Sequence, residues 1–155
     1  MPQDAQGQSM TAASDAAARA FDHAMVGYLK YRMDGAQRLA ALFQVDSTMP
    51  LAHVLKGSFA MLSYSAAMLP RAREALADAE RHARYATERE VRHIAALGHW
   101  IEGDLDAALS VWAGIVADHP HDLLAFRLHH FNAFWLGRPG EMLRAVESVF
   151  PAWSR

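Results

Sequence analysis

The sequence predicts an all-α fold, a solenoid of about eight helices stacked in antiparallel pairs. Three observations predict it. Apolar residues recur at spacings of three and four along most of the chain. No segment alternates apolar with polar residues as a half-buried strand does, and no Asn-Gly hairpin turn occurs. Near the end of the chain a unit repeats. Gly103 and Gly137 stand 34 residues apart, each closing a helical pattern three residues after an aromatic side chain, Trp100 and Phe134. A period of that length marks stacked helical hairpins, and glycine suits the tight turn between two helices.

Taken in order, residues 1–13 are small and polar, with no basic and apolar leader pattern, and are expected to form a disordered arm before a repeat domain spanning 14–155. Ser14 caps a first helix through Ala18, Phe21, Met25, Tyr28 and Leu29, expected to run to about Met33. Asp34 and Gly35 break it, and Leu39, Ala40, Leu42 and Phe43 form a shorter partner that stops before Asp46. Pro50 opens a third helix carrying Leu51, Val54, Leu55, Phe59 and Leu62. Pro70 opens the fourth, where Ala72, Ala75, Leu76 and Ala79 form a small-residue face opposite a charged one.

Thr87 with Glu90 is a capping box, starting a helix through Val91, Ile94, Ala95, Gly98 and Ile101 that Gly103 ends. Leu105, Ala108, Leu109, Trp112 and Val116 follow at helical spacing until Pro120 stops them. The last pair is expected over Leu123 to Leu136 and Glu141 to Phe150. The clearest repeats are thus 87–120 and 121–154.

At 155 residues and 52% hydrophobic content the chain can bury a core without staples. Cysteine is absent, which excludes disulfide and thiolate chemistry and fits a reducing, cytoplasmic setting. A formal charge of −2 with no basic tract argues against nucleic acid. The apolar runs are far shorter than the roughly 20 residues of a membrane span. No glycine-rich phosphate loop occurs, and no cofactor is expected.

If Pro120 closes a tetratricopeptide repeat, Ala108, Trp112 and Ile115 fall on the small, large and apolar positions of its second helix, and Gly103 falls on its turn. The chain resembles this repeat class, which implies a right-handed superhelix. Residues 92–153 also resemble one branch, the tetratricopeptide repeat protein 38 family. The resemblance is carried by Arg92, His93, Ala96, Trp100, Gly103, Ala108, Trp112, His119, Pro120, Asp122, a histidine at 129 or 130, Phe134, Gly137, Met142, Pro151 and Trp153. It covers about the C-terminal two fifths strongly and implies that the chain matches the N-terminal portion of a longer array. It supplies no reaction to transfer.

In this repeat class the first helix of each pair lines the concave surface, which places Glu90, His93, Leu97, Trp100, Arg127, Phe131 and Phe134 toward one groove. His130 is irregular, standing where the repeat usually carries a small residue. The expected binding residues are therefore His93, Trp100, Arg127, His130, Phe131 and Phe134, with Trp100, Phe131 and Phe134 as anchors. A protein, a peptide or a small acidic or amphipathic ligand suits an aromatic groove holding a guanidinium. No catalytic residue is assigned. The nine histidines raise an alternative, part of an oligomeric enzyme with His93, His129 or His130 as general bases or metal ligands. Their spacing matches no zinc motif, so no metal is expected. Val146, Val149, Phe150 and Trp153 leave the final helix without a polar face, predicting a homodimer or cover by a partner or further repeats.

Overall fold

The computed structural model describes residues 1–154, which form eight α-helices in four consecutive pairs. The pairs are α1 (Asp15–Leu29) with α2 (Gly35–Val45), α3 (Pro50–Leu62) with α4 (Leu69–Arg81), α5 (Glu88–Ile101) with α6 (Leu105–Asp118), and α7 (Leu123–Trp135) with α8 (Pro139–Trp153). Single 3₁₀ turns precede α4 and α5. The pairs stack in sequence: α3 and α4 lie against α5, and α6 lies against both α7 and α8. One core runs through the stack from Phe21 and Leu42 through Leu55, Leu97 and Trp112 to Leu128.

The 34-residue period is a backbone geometry. Gly103 and Gly137 adopt φ of +79° and +68°. The Gly103 N–H donates to the Trp100 carbonyl at 3.0 Å and the Asp104 N–H to the His99 carbonyl at 2.9 Å. The equivalent bonds, Gly137 to Phe134 and Arg138 to Ala133, measure 3.0 and 2.9 Å. Both are Schellman caps, in which a left-handed residue turns the chain back to satisfy the last carbonyls of the helix.

A left-handed residue also ends the two upstream first helices, tyrosine in place of glycine, with both bonds of the cap at Tyr31 and only the first at Tyr64. Tyr31 has φ of +53° and Tyr64 has φ of +49°. The Tyr31 N–H donates to Tyr28 and the Arg32 N–H to Gly27, while Tyr64 donates to Met61. α1 therefore stops at Leu29 instead of continuing to Met33, because Tyr31 reverses the chain there. At the other end α8 extends beyond the expected limits on both sides: Pro139 fits a first turn, where its missing N–H costs nothing, and the helix runs on through Pro151 to Trp153.

Residues 1–13 also depart from expectation. They form a folded clasp, not a disordered arm. The Asp4 carboxylate accepts from the Gln6 and Gln8 N–H groups, Gly7 turns the chain at φ +78°, and Gln3 bridges to Ser9. Met10 is fully buried, and Thr11 bonds to Glu90 on α5. The segment looks polar because its side chains satisfy its own turn and a neighbouring helix.

The two glycines of α5 and its cap predict opposite effects. Replacing Gly103 by Ala should lower stability by about 1–2 kcal/mol, the cost of forcing a Cβ into the left-handed region. Gly98 is helical, and an added Cβ meets only Leu76 Cδ2 at an ordinary 3.7 Å. Gly98→Ala should raise stability by roughly 0.5–1 kcal/mol. Urea denaturation of both variants followed by circular dichroism checks the pair.

Candidate functional site

Two polar arrangements stand out, one buried and one open. The buried one centres on Asp122, the N-cap of α7. One carboxylate oxygen accepts from the Ala125 N–H at 2.9 Å. The other accepts from the Arg89 guanidinium at 2.7 Å and from His93 Nε2 at 2.8 Å. Arg89 continues to the Ser9 carbonyl at 3.0 Å. Next to it, Glu90 accepts from the backbone N–H groups of Thr87 and Thr11 at 2.7 and 2.6 Å, and from the Thr11 hydroxyl at 2.8 Å. Burial alone would raise the Asp122 carboxyl, but His93 and Arg89 outweigh it and hold the group well below the usual carboxylate range. The adjoining cavity, bordered by Asp4, Asp22, Arg89 and Asp122, is about 60 Å³. At roughly 10–15 Å³ per water it has room for a handful of waters and no larger ligand.

The open arrangement lies where the C-terminal ends of α1 and α3 meet α7. The Arg127 guanidinium sits over the Tyr31 ring at 5.4 Å and over the Phe131 ring at 5.6 Å, and donates to the Tyr31 hydroxyl. Tyr64 stacks on Phe131 with centroids 6.1 Å apart and meets the edge of Trp135 at 6.3 Å. Phe134 packs on Trp135 in turn, at 5.4 Å. Tyr31 and Trp135 are 73% and 64% exposed, so this ladder of rings and one cation faces solvent.

Half of the described arginines pair with a carboxylate, and Arg127 is not among them. Arg38, Arg73, Arg81, Arg89, Arg92 and Arg138 all pair with carboxylates. Among the described residues Arg127 has no acidic partner and is held by two rings and the Tyr31 hydroxyl. A left-handed tyrosine costs roughly 1–2 kcal/mol. One cation–π contact returns about 0.5–2 kcal/mol, and an aromatic pair about 0.5–1.5 kcal/mol. The contacts with α7 are thus of the size needed to hold Tyr31 and Tyr64 in place.

The expected groove residues divide accordingly. Arg127, Phe131 and Phe134 lie along the open ladder. His93 and Trp100 do not: His93 is buried on Asp122, and Trp100 packs edge-on against Trp112 in the core. Glu90 and Leu97 are buried as well. The N-terminal clasp and α3 cover α5, so only α7 presents its first-helix face. His130 is partly buried and stacks on Phe126, near enough to Arg127 to feel its charge. His129 lies in a separate cleft with its Nε2 3.7 Å from Glu141, beside Arg144 and Ser148. Among the described residues no three His, Asp or Glu side chains come together to hold a metal ion, and no helix is long and apolar enough to cross a membrane.

Tyr28, Tyr31, Tyr64 and Trp135 were not among the residues expected in the groove. The upstream pairs match the repeat loosely, and nothing in a tyrosine signals a left-handed cap. The available signal was positional: Tyr31 and Tyr64 each follow an apolar helical series just as Gly103 and Gly137 do.

No protein-family model and no solved structure matches this chain.

Two predictions follow from the buried groups. Asp122→Ala strands the Arg89 charge and uncaps α7, and should cost about 3–5 kcal/mol, measured by chemical denaturation. His53, His129 and His130 are each held below the ordinary imidazole value of 6.5, chiefly by burial. Groups harder to protonate when folded contribute stability that is complete above 6.5 and lost as pH falls through that value. The melting temperature should therefore drop between pH 7.5 and 5.5, and the drop should shrink in a His53→Phe, His129→Phe, His130→Phe triple variant.

Proposed function

We propose that this chain is a binding and assembly module of the tetratricopeptide-like class that recognises an acidic partner, peptide or small ligand in the Arg127 groove. The observation that carries the reading is a guanidinium clamped between two aromatic rings, exposed at one edge and without a carboxylate of its own. A planar cation in that setting favours an incoming carboxylate, and the rings favour an apolar neighbour beside it. The resemblance of residues 92–153 to the tetratricopeptide repeat protein 38 family supports the same class, and the setting proposed is cytoplasmic.

The outer face of α8 supports assembly. Leu109, Trp112 and Val116 of α6 are buried. The residues 34 positions on, Leu143, Val146 and Phe150, are exposed on α8. The repeat geometry therefore leaves a helix-packing face uncovered, suited to a second copy or a partner helix.

The groove is tested by calorimetric titration with a peptide alternating Glu and Leu. Arg127→Ala should weaken binding tenfold or more while the chain stays folded at the titration temperature, its melting temperature lowered only by the loss of the contact with Tyr31. Unchanged affinity removes the assignment. Assembly is tested by light scattering against concentration: a dimer that dissociates in Phe150→Glu is expected, and a monomer at all concentrations removes self-association.

A further inference from the structure

We infer that the cleft between the ends of α1 and α3, at the edge of the Arg127 ladder, is a site for a small amphipathic carboxylate. It deepens the groove reading and rests on it. The cleft is about 430 Å³ and is walled by Tyr28, Tyr31, Arg32, Phe59, Leu62 and Ser63, a size within the range of about 300–1,000 Å³ seen for small-molecule pockets.

Three features select the ligand. The first is an unmet donor: the Tyr28 hydroxyl is buried beside the Arg127 guanidinium, which can only donate to it, and no acceptor meets its hydrogen. Buried polar groups are nearly always paired, so an unmet donor on a residue that lines a cleft asks for an acceptor from outside. Burial pushes this hydroxyl up to about 12, despite the opposing pull of the nearby Arg127 charge, so it remains a donor at any physiological pH. The second is charge. Arg127 reaches the cleft wall through the Tyr31 hydroxyl, Arg32 lines the cleft, and among the described residues neither is paired with an acid. The third is an apolar wall, in which Phe59 packs on the Tyr28 ring at 5.5 Å beside Leu62. A carboxylate head can accept from Tyr28 and face the guanidinium groups while an aliphatic tail covers Phe59 and Leu62. A peptide strand would bring backbone N–H groups for which this apolar wall offers no acceptors.

Calorimetric titration of the full chain with octanoate, and with octanol as the neutral control, tests this. Octanoate should saturate, and octanol should bind at least tenfold more weakly. Tyr28→Phe keeps the ring on Phe59 and removes only a hydroxyl whose hydrogen meets no acceptor, so the fold should survive while octanoate weakens about tenfold or more, the worth of a hydrogen bond to a charged group. Equal affinity for octanol and octanoate overturns the inference, as does a Tyr28→Phe variant that binds octanoate unchanged. If the Glu-Leu peptide binds through Arg127 while octanoate does not, the cleft assignment falls and the groove reading stands. If neither binds, both fall.

Discussion

The fold depends on the carboxylate of Asp122. It caps α7, pairs with Arg89 and holds His93, all nearly excluded from water. Burying charge is costly, and an ion pair of this kind only roughly offsets its own desolvation unless every remaining donor and acceptor is used. Here most are used, since Arg89 passes on to Ser9 and neighbouring Glu90 ties Thr11 to the start of α5. The network acts less as a source of stability than as a device for register. It fixes the start of α7 against α5 and closes the N-terminal clasp over both. A misaligned repeat would leave a guanidinium and a carboxylate buried apart, which a fold of ordinary stability does not tolerate.

With α7 pinned by its first turn, its opposite side is turned toward the ends of α1 and α3. That helix serves three surfaces, packing on α6 and α8 and presenting Arg127, Phe131 and Trp135 to the groove. Its residues are apolar around most of the circumference for that reason. The stack curves enough that Tyr31 on α1 touches Arg127, 96 residues away in sequence. The two tyrosine caps thereby become walls of the groove, and the strain in their backbones is sustained by the rings and cation they meet. Strained residues held by the surrounding structure recur at functional sites, which agrees with this being the chemically distinct face of the molecule.

The helices were largely legible. Caps at Ser14 and Thr87, prolines at 50, 70 and 120, and glycines at 103 and 137 are local signals that the helices follow, whereas the cap at Asp122 came only with the structure. The groove was legible only in part. Arg127, Phe131 and Phe134 were grouped by the repeat register, and on α7 they do lie along one row of rings. The register failed for His93 and Trp100 because periodicity says which residues share a helix face and not what covers that face. In α5 the cover is α3 and the clasp, brought close by Gly57, where an added Cβ would stand 2.7 Å from Leu97.

What the sequence by itself determined is the set of helices, their pairing and the 34-residue turn geometry, because each rests on contacts between residues close in the chain. Only the tertiary structure decided which first helix faces outward, that a polar leader folds into a clasp, and that Tyr28, Tyr31 and Arg127 share one cleft. Those outcomes depend on the curvature of the whole stack and on a buried charge network joining segments some 80 residues apart, Ser9 to Arg89. Neither is encoded in any local pattern, since each follows from satisfying all the packing faces and buried polar groups at once.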